Sequence, residues 1–364
     1  MKIAMLGHKR IPGREGGVEV VVEELSTGLV KLGNSVTAYN RKKRGTQKFK
    51  EYKGVKIVTV PTIEKKSLDA VVYSFLASIR VLFGKYDVIH YHAIGPSFML
   101  IIPHFFRKKT VVTVHGLNYK TPKWKGFGEK YMHWGEVITA KYADRIITLS
   151  KEQQKYFKEK YNRDTEYIPN GTELKDKVEP NIIEKKWGLG KDKYILFLSR
   201  VVPGKGLENL IEAYKHVDSD LQLIIAGGSE YVSDFRDKVM DMASDDSRIR
   251  FIGFVEGQEL VELYSNAYLF VFPSEAEGMP MCLLEALSYD TPCLVSDIPE
   301  NLEVGGEYVQ SFKVKNTEDL MERLNDCINN NSLLFTRDTR GYIESKYNWD
   351  NIVKRTMKVY ENIR

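Results

Sequence analysis

The stretch KIAMLGHKRIPGREGGVEVVVEELSTGLVKLGNSVTAY (2–39) decides how the chain is read. It opens on a buried-type apolar run, KIAML (2–6), followed by a loop with paired glycines, GHKRIPGREGG (7–17). EVVVEELSTGLVKLG (19–33) then repeats apolar residues at helical spacing and ends on Gly33 as a cap. SVTAY (35–39) returns to strand. Strand, glycine loop, helix, strand is the repeating unit of a parallel α/β sheet.

The same alternation continues along the chain. VKIVTV (55–60), YDVIHYH (86–92), TVVTV (110–114), RIITL (145–149) and TEYI (165–168) read as strands, and residues 68–83 as an amphipathic helix. PNG (169–171) and the polar run TELKDKVEPN (172–181) break the pattern and mark a boundary. A second set of strands follows: YILFLS (194–199), LQLIIAG (221–227), RIRFIGFV (248–255), YLFVFP (268–273) and PCLVS (292–296). The tail NWDNIVKRTMKVYENI places Ile352, Val353, Met357, Tyr360 and Ile363 on one face of a final docked helix.

Length and composition agree with two α/β domains in tandem. The chain has 364 residues, and domains run at roughly 100–200 residues each. With 43% hydrophobic and 28% charged residues it is neither collagen-like, disordered nor a multi-span membrane chain. No apolar run reaches the roughly 20 residues that span a bilayer. The opening strand leaves no room for a signal peptide. Cys282, Cys293 and Cys327 lack the number and spacing of a disulfide framework or metal site, and read as buried thiols in a reducing compartment.

The net charge of +5 hides an asymmetry. Residues 1–172 hold 31 Lys and Arg against 15 Asp and Glu, while residues 173–364 hold 23 against 34. A basic half is suited to an anionic membrane surface or nucleic acid, and the acidic second half argues against nucleic acid.

Ligands in open α/β sheets bind beyond the carboxyl ends of strands, so the loops there carry the candidates. Gly16-Gly17 at a helix start lets backbone N–H groups approach a phosphate, although the loop is neither a dinucleotide fingerprint nor a Walker loop. In SRVVPGKG (199–206), Arg200 and Lys205 precede a helix, a combination suited to a diphosphate. PSEAEGMPMCLLEAL (273–287) sets Glu277 and Glu285 around the Gly278-Met279-Pro280 loop and the helix start Met281-Cys282-Leu283. The helix amides suit phosphate, and an acid on an apolar helix must find donors such as sugar hydroxyls. His115 follows TVVTV at another strand end. His90 and His92 share one face of their strand, where they are either packed groups or metal ligands lacking a third partner. Asp218-Ser219-Asp220 and Asp245-Asp246 precede strands, at the wrong end for a site, and read as turns. No serine-nucleophile elbow or Cys-His pattern appears.

Taken in order, the paired glycines, VHG, PNG, SRVVPGKG, IAGG, FIGFV and EGMPMCLLEA resemble the retaining glycosyltransferases of family 4 over the whole chain. One departure is EAEGMP, where the family often carries EGFGLP. The opening segment looks most like bacterial cell-surface polysaccharide transferases, several of them rhamnosyl-type. The resemblance implies the GT-B fold: two Rossmann-like domains facing each other across a cleft. Residues 1–172 would bind acceptor, 173–345 would bind nucleotide sugar, and 346–364 would form a helix returning to the first domain.

The resemblance also implies roles. Arg200 and Lys205 would neutralise the leaving diphosphate, and Glu285 would hold the ribose. Glu277 and His115 would contact the donor sugar, and Phe254 would border the nucleobase. Amides from Met279 to Leu283, and Gly17, would touch phosphate or sugar. The reaction expected is metal-independent, retaining hexosyl transfer from a UDP-, dTDP- or GDP-sugar to a lipid-linked saccharide. It needs no cofactor and belongs to cell-surface polysaccharide synthesis on the inner face of the membrane. A sugar-nucleotide epimerase and a non-catalytic nucleotide-sugar binder are the alternatives.

Overall fold

The computed structural model describes residues 1–13, 16–42, 49–63, 68–117, 127–228, 233–330 and 338–363. The basic residues Lys43, Arg44, Lys65, Lys66, Lys120, Lys123 and Lys125 lie outside these ranges. The chain divides into two units, Met1–Gly171 with Tyr347–Arg364, and Thr172–Lys346.

In the first unit each short apolar run of the sequence becomes a strand: β1 (Lys2–Leu6), β2 (Ser35–Arg41), β3 (Glu51–Tyr52), β4 (Val55–Val60), β5 (Val88–His92), β6 (Thr110–Val114), β7 (Arg145–Thr148) and β8 (Glu166–Tyr167). They form one sheet in the order β3-β4-β2-β1-β5-β6-β7-β8. All neighbours pair in parallel except the short β3 on β4. Ile3 lies level with Val36 on one side and Val88 on the other, so β1 is the centre. Parallel strands covered on both faces need no polar alternation, which is why KIAML and TVVTV are continuously apolar. The two-residue β3 carries too little pattern to be read from sequence.

Helix Gly17–Lys31 buries Val21, Val22, Leu25 and Leu29 against this sheet, at the spacing of one helical face. It stops at Leu32, and Gly33 turns the chain away with φ +83°. The C-terminal helix Trp349–Glu361 is capped by the Asn348 side chain, which accepts from the backbone N–H of Asp350 at 2.8 Å. Its Ile352, Val353 and Tyr360 are buried in the same core, with Met357 packed at the edge. Gly28 permits that approach: a Cβ there would lie 2.6 Å from Val353 Cγ2.

The second unit repeats the plan with β9 (Tyr194–Leu198), β10 (Gln222–Ala226), β11 (Ile249–Gly253), β12 (Leu269–Phe272), β13 (Cys293–Ser296) and β14 (Gln310–Phe312). The order is β11-β10-β9-β12-β13-β14, all parallel. This is the doubly wound arrangement, whose direction of winding reverses between β9 and β12. The unit is entered through helix Ile182–Trp187, whose first turn is held by a buried carboxylate. Glu262 Oε2 accepts from the backbone N–H of Asn181, Ile182 and Ile183 at 3.0, 2.8 and 3.1 Å.

Two turn readings are refined. Asp218-Ser219-Asp220 is indeed irregular chain before β10. Asp245 and Asp246 are more than a solvated turn. Asp246 chelates Arg248 through Nε and Nη2, at 3.0 and 2.7 Å, and that guanidinium also donates to the carbonyls of Val217 and Ser219. All three cysteines are free, but Cys282 is only partly buried.

Candidate active site

The strand order of the second unit places the loops after β9 and β12 side by side at the point where winding reverses. Backbone contact stitches them together. Gly206 has φ +68°, and a Cβ on it would collide with the Pro273 carbonyl. Glu275 N–H donates to the Gly204 carbonyl at 3.0 Å. Only glycine meets both demands at position 206.

On this frame Lys205 Nζ donates to Glu277 Oε1 in a short ion pair, with the two side chains 15% and 13% exposed. Ser274 Oγ donates to the same carboxylate oxygen at 2.6 Å. Ser274 is held in turn by Ser296 Oγ, which donates to its carbonyl, and by Asn301, whose Nδ2 reaches Ser296 Oγ at 2.9 Å. Neither Ser274 nor this supporting column was legible in the sequence, because β12, β13 and the helix Pro299–Gly305 meet only in the fold.

Gly278, Met279 and Pro280 are buried and lead into helix Met281–Ser288, whose N-cap Pro280 makes no side-chain cap bond. Glu285, on the second turn, accepts from the hydroxyl of buried Tyr264 at 3.1 Å. Tyr264 also donates to the Cys282 carbonyl at 3.3 Å, and its ring stacks on Tyr289. Burial, with the Glu285 carboxylate beside it, holds the Tyr264 hydroxyl well above its ordinary pKa, so it remains a donor. Burial also pushes the Cys282 thiol up to about 12, and the charges of Glu285, Lys205 and Glu277 all act on it. Leu283 is fully buried, so only its backbone is available to a ligand.

Arg200, in the loop after β9, is exposed and makes no ion pair among the described residues. Phe254, after β11, is 60% exposed, close to Gly228 at the end of β10. Gly227 has φ +152°, and a side chain there would strike the Ser199 carbonyl. A separate open hollow of about 550 Å³ is lined by Glu307, Tyr308, Asp338 and Tyr342, away from these strand ends.

The first unit has its own reversal, between β1 and β5. Four histidines gather at the carboxyl ends of β1, β5 and β6. His8 follows β1, His90 and His92 lie on β5, and His115 follows β6. Gly7 lets β1 end against β5, for a Cβ there would collide with the His92 carbonyl. His90 bonds Tyr360 Oη through Nδ1 at 2.6 Å and Thr113 Oγ1 through Nε2 at 2.7 Å. His92 Nδ1 lies 3.0 Å from His115 Nε2. Burial lowers all four: His8 and His115 to about 4, His90 to about 3, and His92 well below its ordinary value. His90 is thus packed with both ring nitrogens hydrogen-bonded, while His92 Nε2 has no partner. Among the described residues no three His, Cys, Asp or Glu side chains are placed to share a metal. Sequence reading missed His8, whose only signal was its position two residues after the end of β1.

Gly16 is the extended N-cap of helix Gly17–Lys31 and makes no side-chain cap bond. The first turn already holds an acid: Glu19 is 5% exposed, and its Oε1 accepts from Lys9 N–H at 2.9 Å. Any phosphate at Gly17 would meet that carboxylate.

Two tandem Rossmann-like units, each with polar groups gathered where its sheet reverses, define the GT-B class of enzymes. The model described as Glycosyltransferase Family 4 matches residues 15–176, and that described as Glycosyl transferases group 1 matches residues 180–349. The chain thus belongs to the GT-B glycosyltransferases of group 1/family 4 type. An uncharacterised glycosyltransferase of Methanocaldococcus jannaschii is 26% identical over 99% of this chain and 98% of its own length. The Escherichia coli UDP-Gal:alpha-D-GlcNAc-diphosphoundecaprenol alpha-1,3-galactosyltransferase is 29% identical over 60% of this chain and 59% of its own. Among solved structures, Anabaena HepE in complex with UDP and glucose superposes over 100% of both chains with TM-score 0.83 at 16% identity, a likeness of fold.

Proposed function

We propose that this glycosyltransferase moves a hexosyl group from a nucleotide sugar to a lipid-linked saccharide, with retention and without a metal, in cell-surface polysaccharide synthesis. The observation that carries the reading is the Lys205–Glu277 pair where the loops after β9 and β12 meet at the reversal of the second sheet, with Arg200 in the first of these loops and Glu285 on the helix that follows the second. A nucleoside diphosphate leaves with charge that must be stabilised. Arg200 is free to meet it, and Lys205 is held in place by Glu277 and Ser274. Glu285, oriented by Tyr264, accepts from the ribose hydroxyls. Glu277 has a second oxygen for a hydroxyl of the donor sugar. Phe254 offers an exposed ring to the base.

In the proposed step the bond from the anomeric carbon to the diphosphate breaks as the acceptor oxygen bonds to the same face. The acceptor proton passes to the departing phosphate oxygen, and the transition state has oxocarbenium character. UDP is the favoured nucleotide, since HepE was solved with it; GDP and dTDP are the other candidates. Rhamnose is the sugar that the resemblance of the opening segment favours.

A lipid-linked acceptor is supported by the diphosphoundecaprenol named for the E. coli relative and by the surface of the first unit. No described helix is long and apolar enough to cross a membrane. Among the described residues, eight of the twelve exposed large hydrophobics, Ile63, Leu68, Phe75, Phe83, Phe105, Phe106, Trp134 and Val137, fall between residues 63 and 137. Arg80, Lys85 and Arg107 are exposed among them. Exposed aromatics with basic neighbours suit the interface of an anionic bilayer, so the protein is read as cytoplasmic and peripheral on the inner leaflet.

The test is a screen of UDP-, GDP- and dTDP-sugars in EDTA, with and without a lipid-linked monosaccharide. Acceptor-dependent release of one nucleoside diphosphate is expected. Isomerisation of a donor without acceptor, or activity abolished by EDTA, would overturn the reading.

A further inference from the structure

Hydrogen-bond accounting fixes where the protons sit on His8, His92 and His115. A neutral imidazole has one N–H and one lone pair, and which nitrogen carries the proton follows from its partners. His8 is the clearest case. Asn40 donates through Nδ2 to the Ile11 carbonyl at 2.8 Å and accepts Ile11 N–H on Oδ1 at 3.1 Å, so its amide orientation is settled. His8 Nε2, 3.0 Å from that Oδ1, must be the donor. His8 Nδ1 is then a bare lone pair, and it is buried without a partner. His90 is bonded on both ring nitrogens, to Tyr360 Oη through Nδ1 and to Thr113 Oγ1 through Nε2, and two hydroxyl partners accommodate either tautomer.

His92 is fully buried, and its Nε2 also has no partner. A proton on Nε2 would be an orphaned buried donor, which folded proteins tolerate less readily than an unfilled lone pair. The proton therefore sits on Nδ1 and is donated to His115 Nε2 at 3.0 Å. His115, neutral as well, must then carry its own proton on Nδ1. His115 is partly exposed, and Nδ1 is not among the buried unpartnered atoms, so this is the nitrogen open to a ligand.

We infer that His92 is a positioning residue that locks His115 as the Nδ1–H tautomer, so that the first unit presents a neutral donor to a substrate hydroxyl or phosphate oxygen. His115 then cannot take a proton through the exposed nitrogen and does not serve as a general base. The functional part of this inference rests on the transferase reading above.

The experiment is nitrogen-15 NMR of full-length protein labelled on its seven histidines, at pH 7.5, with each ring assigned by single His→Gln substitution. His115 should appear as Nδ1–H and His8 as Nε2–H. In His92→Phe, His115 should revert to the Nε2–H form that free imidazole side chains favour, and kcat/KM should fall about tenfold, one hydrogen bond's worth. His92→Asn, whose amide can donate from the Nδ1 position, should restore both. The double variant His92→Phe/His115→Phe should be no worse than the poorer single one. His115 as Nε2–H in the wild type, or a tautomer unchanged in His92→Phe, would overturn the inference, and the wild-type spectrum decides even if the variants fold poorly. The stated tautomers in a protein that transfers no sugar would overturn the transferase reading and leave the imidazole pair standing.

Discussion

The Lys205–Glu277 pair has two consequences at the scale of single residues. Glu277 partly neutralises Lys205, so Arg200 is the cation with the most charge to offer a diphosphate. Arg200→Ala should therefore lower kcat by about 10²-fold or more, the loss typical of one transition-state donor. Glu285→Gln keeps the Tyr264 contact but loses the charge that the proposed function assigns to the ribose hydroxyls. It should chiefly raise the donor KM, by about tenfold. Both should melt within about 2 °C of wild type, since Arg200 is exposed and the amide oxygen that replaces the Glu285 carboxylate can still accept from Tyr264. Steady-state kinetics beside a thermal melt checks this; wild-type turnover in both variants would remove these residues from the site. Arg200, Lys205, Glu277 and Glu285 were legible in sequence because each sits in or just beyond a loop that follows a strand. Tyr264 and Ser274 were not. A tyrosine inside GQELVELYSN and a serine beside a proline carry no local sign of a carboxylate partner.

At the scale of elements, the helices between β4 and β7 bury one face on the sheet and leave phenylalanines on the other. Phe83, Phe105 and Phe106 are 85%, 77% and 64% exposed. Phe83 lies just before β5 and the Phe105-Phe106 pair just before β6, and these two strands are neighbours. Arg107 and Lys108 follow the pair without an acidic partner among the described residues, and Lys109 pairs with Asp144 at 3.7 Å. Interleaved phenylalanine and basic residues were visible in FMLIIPHFFRKK, but not which side chains stay outside. Phe83→Ser/Phe105→Ser/Phe106→Ser should reduce co-sedimentation with vesicles containing anionic lipid by about tenfold or more, given roughly 1.5–3 kcal/mol for each fully buried apolar side chain. Transfer to a water-soluble acceptor should be unchanged. Vesicle binding indifferent to this triple variant and to anionic lipid would remove the membrane surface from the proposal.

At the scale of the whole molecule, the buried histidines make stability depend on pH. Their native pKa values lie below the ordinary 6.5, so between about 6.5 and about 4 the unfolded chain binds more protons than the native one. The stability they contribute is fully present above 6.5 and is lost as pH falls toward 4. For His8, 1% exposed, the loss at pH 5 is on the order of 1–2 kcal/mol; the partly exposed His115 contributes less. Scanning calorimetry from pH 7.5 to 5 should show a falling midpoint. His8→Gln, which keeps a donor for Asn40 and takes no proton, should flatten part of that slope. A wild-type midpoint independent of pH in this range would contradict buried neutral imidazoles.

By itself the sequence determined the α/β class, nearly every strand, the paired units and the loops that carry the chemistry. These follow from local pattern: apolar runs that sheets bury on both faces, helical periodicity, and glycines where backbone must turn or touch. Only tertiary structure decided the strand orders, and with them the two reversal points where loops distant in sequence become neighbours. It also decided which polar groups meet: Lys205 with Glu277, Glu285 with Tyr264, and His92 with His115. These pairs join residues 72, 21 and 23 positions apart, and no local spacing encodes them. Sequence pattern reports the face a residue presents, while proton placement and ion pairing depend on what the fold brings against that face.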